Sequence, residues 1–259
     1  NDDIYLYRSS VGDTPGSEIF TSIDVSNGRQ VRPSVMVRLS NLCIGYADLN
    51  TQKFTVKRGT ITNGAFQMNS KYVENRTFVM PSSGYFHIDR SGYDDQFIYT
   101  TNINGTDQIV IVKWNSDLTI SEVFCSSTTG NKSCPTIGSY GNKWIAGFKV
   151  GTTTKYIYKG SSEANLQANS DLPAFDISPP GQINAYYIKN AKIYKRSSSV
   201  ADPTVWSSET LVYNSSVAPS TDDFIGICYD NLDVLFTSTN HDVYHVSNTP
   251  PKPDITYED

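Results

Sequence analysis

The groups in this chain with a capacity for chemistry are few, and their positions narrow what that chemistry is. There are eight arginines and three histidines in 259 residues. Arg29, Arg32 and Arg76 fall in segments read as loops entering innermost strands, where three converging guanidiniums would clamp a carboxylate. The acidic and imidazole groups in comparable places are Asp222 and Asp223, side by side, and His241 next to Asp242 in STNHD. Solvated loop polarity is the plain alternative for each. His87 and His245 alternate with apolar neighbours, which reads as packing. GxSxG, a Gly-rich phosphate cradle and an EF-type loop do not occur, so no catalytic residue, cofactor or metal centre is expected.

Cys43, Cys125, Cys134 and Cys228 show no CxxC spacing, which argues against tetrahedral zinc. Cys125 and Cys134 bracket SSTTGNKS, a run of turn residues, and a disulfide is expected there. Cys43 in NLCIGYAD and Cys228 in FIGICYDN sit in similar segments, and become neighbours if the repeats close into a ring. N-x-Ser/Thr sequons begin at Asn75, Asn104, Asn131 and Asn214, all in expected loops. Together these features suggest an extracellular, secreted or cell- or virion-surface protein. A chain that starts at Asn1 reads as a processed piece of something longer.

The net charge of -5 argues against a nucleic-acid footprint and against attraction to a membrane surface. No apolar run is long enough to span a bilayer, so direct membrane insertion is not expected. Seventeen tyrosines and 12% aromatic content favour strands over helices.

The elements that must position these groups come from internal repetition. KIYKRSSS (Lys192 to Ser199) has relatives in IYLYRSS from Ile4, KFTVKRGT from Lys53, IVIVKWNS from Ile109, KYIYKGSS from Lys155 and DVYHVSN from Asp242. Each alternates aromatic or β-branched residues with others, then meets a basic residue and a polar turn. Strand-turn-strand segments starting at Pro33, Tyr85, Pro135, Ala174 and Asp223 precede the later copies, and AFQMNS, SEVFCSS and ETLVYNSS follow as fourth strands. Four antiparallel strands recurring at intervals of about 40 to 50 residues predict propeller blades.

The expected fold is therefore an all-β β-propeller over residues 1–248, followed by a Pro-rich acidic tail or linker at 249–259. Five hairpins give five blades, with Ile4 to Ser10 completing the last; six copies of the organising strand keep a six-bladed ring open. A β-sandwich is the alternative architecture. In either case the repeated strand is architectural, and function falls to the unrepeated loops. Trp144, Trp206, Tyr93, Tyr140 and Tyr229 are aromatic candidates for a binding surface, with packing between blades as the alternative.

SSSVADPTVWSSETL, Ser197 to Leu211, resembles a degenerate Asp-box, the S-x-D-x-G-x-T-W hairpin of sialidase-like propellers. It lacks the Gly and the spacing, and the resemblance implies a folding element rather than an activity. NKSC, Asn131 to Cys134, is similar to part of a hexapeptide in paramyxovirus attachment glycoproteins, whose six-bladed heads bind sialic acid or protein receptors. Five-bladed glycosidases place carboxylates at several inner-strand entrances. Here the entrances carry Pro33, Gly84, Pro135, Pro173 and the pair Asp222 and Asp223, while Asp48, Asp171 and Asp242 lie in neighbouring loops. The expected function is a non-catalytic recognition module for a glycan or protein receptor, such as the head of an attachment or adhesion protein. A sialidase-like or other glycoside hydrolase propeller is the alternative.

Overall fold

A computed structural model describes residues 4–8, 19–24, 30–38, 41–62, 65–81, 88–91, 96–115, 119–214, 217–220, 225–228, 233–240 and 242–246. The chain divides into two compact units, Asn1–Pro135 and Thr136–Asp259.

In the first unit, β1 (Ile4–Arg8) pairs with β2 (Ile19–Asp24). One four-stranded sheet follows in the order β3 (Gln30–Arg38), β4 (Asn41–Asp48), β5 (Lys53–Thr62), β6 (Ala65–Thr77). A second contains β7 (Ile88–Ser91), β8 (Gln96–Ile103), β9 (Thr106–Trp114) and β10 (Ile120–Cys125).

The next sheet is β11 (Lys132–Tyr140), β12 (Lys143–Val150), β13 (Thr153–Tyr158) and β14 (Ala164–Ala168). It is followed by β15 (Asp171–Ser178), β16 (Gln182–Lys189), β17 (Lys192–Ser199) and β18 (Thr210–Tyr213). A three-stranded sheet, β19 (Ile225–Cys228), β20 (Asp233–Thr237) and β21 (Val243–Val246), ends the described chain.

Every neighbouring pair whose register is described is antiparallel and consecutive in sequence, the up-and-down blade of a propeller. The fold is all-β and propeller-like, and the organising repeat is the third strand of each blade-like sheet: β5, β9, β13, β17 and β21. The sixth copy of the repeat, Ile4–Arg8, is β1. Among the described residues it pairs with β2, across a connection short enough to be cheap in chain entropy.

Within each unit, one pair of sheets joins through an aromatic side chain received by a glycine. In the first unit, Phe54 on β5 stacks on Tyr99 of β8 at 4.6 Å and meets Phe97 edge-on at 5.8 Å. Gly45 on β4 makes room for this, since a Cβ there would lie 2.8 Å from the Phe97 ring. The Tyr99 hydroxyl donates to the buried Glu74 carboxylate on β6 at 2.5 Å. Gly147 on β12 repeats the device in the second unit, where a Cβ would overlap the ring of Phe175 on β15. Phe175, Ile177, Ile183, Ala185 and Tyr187 form a buried core with Ile145, Tyr156 and Tyr158.

The Asp-box-like segment lies between β17 and β18 and acts as a clasp. Asp202 Oδ1 accepts from the Thr204 N–H at 3.1 Å and from its hydroxyl at 2.6 Å, fixing the turn. That turn delivers Trp206 edge-on against Tyr156 at 5.2 Å and Phe175 at 6.1 Å. From the preceding sheet, Tyr156 and Tyr158 donate to the carbonyls of Pro203 and Val200. Arg196 donates back to the Leu166 carbonyl at 3.0 Å.

Two expectations are corrected. No disulfide joins Cys125 and Cys134: Cys125 ends the outer strand β10 while Cys134 lies on β11 of the next sheet, and both are thiols. The intervening loop is held instead by Lys132, 1% exposed, whose ammonium donates to the carbonyls of Thr128 and Gly130 at 3.0 and 3.1 Å. The Asn131 carboxamide adds a bond from the Asp107 N–H, and Gln108 donates to Thr128. The side chain of Cys228, on β19, lies outside the described residues, and with it the expected proximity to Cys43. Asn75 is the second correction, since it lies on β6 and not in a loop. Asn104 tops the β8–β9 turn, and Asn131 and Asn214 adjoin strand ends; all three are exposed.

Candidate functional site

Seven residues were expected at a binding surface. Arg29, Asp222, Asp223 and His241 lie outside the described residues. Arg32 falls on β3 and Arg76 on the fourth strand β6, rather than in entrance loops, and their side chains are outside the described set. Asp242 is exposed before β21, where its N–H donates to the Ser238 hydroxyl and its carbonyl accepts the Ser238 N–H. The neighbouring carboxylates have structural duties. Asp48 caps its turn through the N–H groups of Asn50 and Thr51, and Asp171 pairs with Lys149. Arg90 donates to the Val35 carbonyl at 2.6 Å. Trp144 is buried at 4% exposure and belongs to packing, as does Trp206.

A polar assembly stands elsewhere, on one face of the β15–β18 sheet. Strand alternation sends Phe175 and Ile177 into the core and turns Asp176 to the opposite face. Register then lines up Asp176, Asn184 and Ser197 across three strands, with Ala174, Tyr186 and Lys195 as the next row. Asn184 is fully buried and oriented from both sides: its amide donates to the Ser178 hydroxyl at 3.2 Å and its oxygen accepts from Ser197 at 3.1 Å. Asp176, Lys195 and Ser197 beside it are half-buried.

The charged groups of this row are incompletely satisfied. Asp176 Oδ2 is buried without a hydrogen-bond partner. Burial pushes the Asp176 carboxyl above its ordinary value, against the opposing pull of the Ile177 N–H and the Lys195 charge. Burial also lowers Lys195, opposed by Asp176. The Lys195 ammonium lies 5.5 Å from the centroid of the Tyr186 ring. Gly138, on the innermost strand of the preceding sheet, lets β15 come close, since a Cβ there would sit 2.7 Å from Asp176 Cα.

On the other face, Glu209 joins Tyr187 at 2.7 Å and Lys189 at 3.0 Å. Burial acts to raise Glu209, but hydrogen bonds from Tyr187 and Lys189 and the charges of Lys189 and Arg196 outweigh it and hold the carboxyl below its ordinary value. Burial and Glu209 together push the Tyr187 phenol up. Every group in that network is paired, so it reads as a brace.

Asp176 was missed because attention to carboxylates fell on strand entrances, and Pro173 stands at this one. A signal was present: the period-two alternation of AFDIS and KRSSS puts Asp176, Ser178, Lys195, Ser197 and Ser199 on one face.

No family model and no curated protein matches the chain. Solved structures do. A protein from Lactobacillus plantarum is similar at a TM-score of 0.50 and 10% identity, covering 94% of this chain and 81% of its own. A glycosyl hydrolase from Bacteroides ovatus gives 0.46 and 9%, with 86% and 85% covered. The Dos1 propeller gives 0.49 and 7%, over 94% of this chain and 62% of that one. What is shared is the fold.

Proposed function

We propose that the chain is a non-catalytic extracellular recognition module that binds a glycan or protein receptor through features not repeated from sheet to sheet. The supporting observation is the β5–β6 arm. Leu42 at the end of β4 pairs with Gly59, but β5 and β6 continue together beyond it, from Thr60 paired with Gln67 to Thr62 paired with Ala65. Gln67, Met68 and Asn69 are exposed in succession, so both faces of β6 meet solvent there, and Met68 stays 53% exposed. A paired arm carrying an apolar and polar surface suits recognition. Exposed sequons at Asn104, Asn131 and Asn214 are compatible with an extracellular setting.

The test is a glycan array and a cell-surface binding assay on the whole chain and on a variant with Ile61–Phe66 replaced by Asn-Gly. Binding that the shortened arm weakens at least tenfold, with the melting temperature kept, is expected. Undiminished binding by the variant sinks the role of the arm.

A glycoside hydrolase is the second reading, favoured by one observation: Asp176, on the first strand of its sheet, is a half-buried carboxyl that burial raises above its ordinary value, the direction a general acid needs. Turnover of fluorogenic glycosides at an enzyme-like rate, abolished by Asp176→Asn, would establish it against the recognition reading.

A further inference from the structure

We propose that the face of β6 carrying Met68, Lys71 and Val73 docks a protein segment in which an Asp or Glu carboxylate is flanked by apolar side chains. The inference rests on the recognition reading and narrows it, from a glycan or protein receptor to a protein with an acidic, apolar binding segment.

A bulge builds this stripe. Along β5 and β6, Thr55 stands opposite Val73 and Lys57 opposite Lys71, but Arg58 is opposite Ser70 and Gly59 opposite Met68, so Asn69 is an extra residue. The extra residue shifts the alternation by one and turns Met68 to the face of Lys71 and Val73, a place that would otherwise fall to Asn69. It is the face opposite Phe54 and Val56, which enter the core with Phe97 and Tyr99. On this face Ile44, Tyr46, Thr55 and Lys57 of β4 and β5 are covered. On β6 itself Met68 is 53% and Val73 47% exposed, and Lys71 is exposed between them.

Charge selects the occupant. Residues 53–77 hold five lysines and arginines and one carboxylate, in a chain whose net charge is -5. That carboxylate, Glu74, is buried and accepts the Tyr99 hydroxyl, and no ion pair engages Lys71 among the described residues. The β5–β6 pair is therefore cationic on an acidic chain, and an acidic partner complements it. Lysine on an outer strand also guards against edge pairing, but a guard has no need of exposed methionine and valine on either side. A sugar stacks on an aromatic ring, and none of the large hydrophobics left exposed among the described residues is aromatic, whereas Met68 and Val73 suit aliphatic side chains. A second copy seated on the same stripe about a two-fold axis would bring Lys71 against Lys71.

The test is selection of a displayed random-peptide library on the whole chain, followed by calorimetric titration of the enriched peptides. These are expected to carry Asp or Glu between apolar residues. Lys71→Glu should weaken them by about tenfold or more, and replacing the peptide acid by Lys should restore binding to that variant. Val73→Thr should weaken them less, by removing apolar area alone. All three stripe residues are exposed, so melting temperatures should hold and lost binding reports the surface and not unfolding. Undiminished affinity in Lys71→Glu overturns the proposal, as does a library that yields no acidic, apolar peptide. Heparin bound by wild type and lost in Lys71→Glu, with no peptide selected, also overturns it and assigns the stripe to an anionic glycan. The arm-shortened variant retains Gln67 to Val73 and should keep peptide binding. A chain that binds cells through the arm yet is indifferent to Lys71→Glu refutes this inference alone; undiminished cell binding by the shortened arm, with peptides lost in Lys71→Glu, refutes the arm and leaves the stripe.

Discussion

Gly147→Ala is the sharpest perturbation of the packing between sheets, because two general effects predict opposite signs for it. Gly147 sits on β12 outside the left-handed region, so a Cβ is compatible with its backbone. On chain entropy alone the change should stabilise by about 0.4–1 kcal/mol. The structure predicts the reverse, since that Cβ would overlap the Phe175 ring and lie 3.0 Å from Thr136 Cγ2. Phe175 is pinned by Tyr156 and by Trp206, edge-on at 6.1 Å, so it has little room to retreat. Overpacking of this kind costs about 1–3 kcal/mol, which for a chain of this size lowers the melting temperature by roughly 2–12 °C. The assay is urea and thermal unfolding of wild type, Gly147→Ala, Phe175→Leu and the double variant. Each single change should destabilise, and the double should be better than their sum by about 0.5 kcal/mol or more. A Gly147→Ala protein as stable as wild type would show that the sheets do not pack by glycine and aromatic as described. Gly45→Ala should cost less, because its clash is with the edge of the Phe97 ring at 2.8 Å.

Trp206→Ala removes the ring that the Asp-box-like turn delivers to Tyr156 and Phe175, and should cost about 2–4 kcal/mol by denaturant unfolding. Lys132→Met leaves the Thr128 and Gly130 carbonyls without their cation and should cost about 1.5–3 kcal/mol, seen also as faster amide exchange across residues 126–131; a reductant should leave the wild-type melting temperature unchanged. Asp176 has a folded pKa above 3.8, so the folded state holds more protons and the contribution of this residue to stability grows as pH falls through its folded value toward 3.8. Asp176→Asn should remove that rise from the pH profile. Glu209 is depressed below 4.5, so its contribution is present above that value and lost as pH falls through the folded one; Glu209→Gln should flatten the acid limb there.

The sequence alone determined the strands, their antiparallel succession and the place of the repeat. Period-two alternation in KIYKRSSS and its relatives follows from the pleat, and hairpin turns such as Gly141-Asn142 are set by residues that adopt positive φ, at 58° and 64° here. It also located the Asp-box-like clasp, because a local turn is written in local residues. Tertiary structure decided what depends on distance. Cys125 and Cys134 are close in sequence but end on different sheets, and a lysine closes the loop that a disulfide was expected to close. The same limit governs the site. A lone Asp in AFDIS says nothing until register sets it beside Asn184 and Ser197 and burial leaves one of its oxygens without a donor. Alternation is a property of one strand; an unsatisfied charge is a property of everything packed around it.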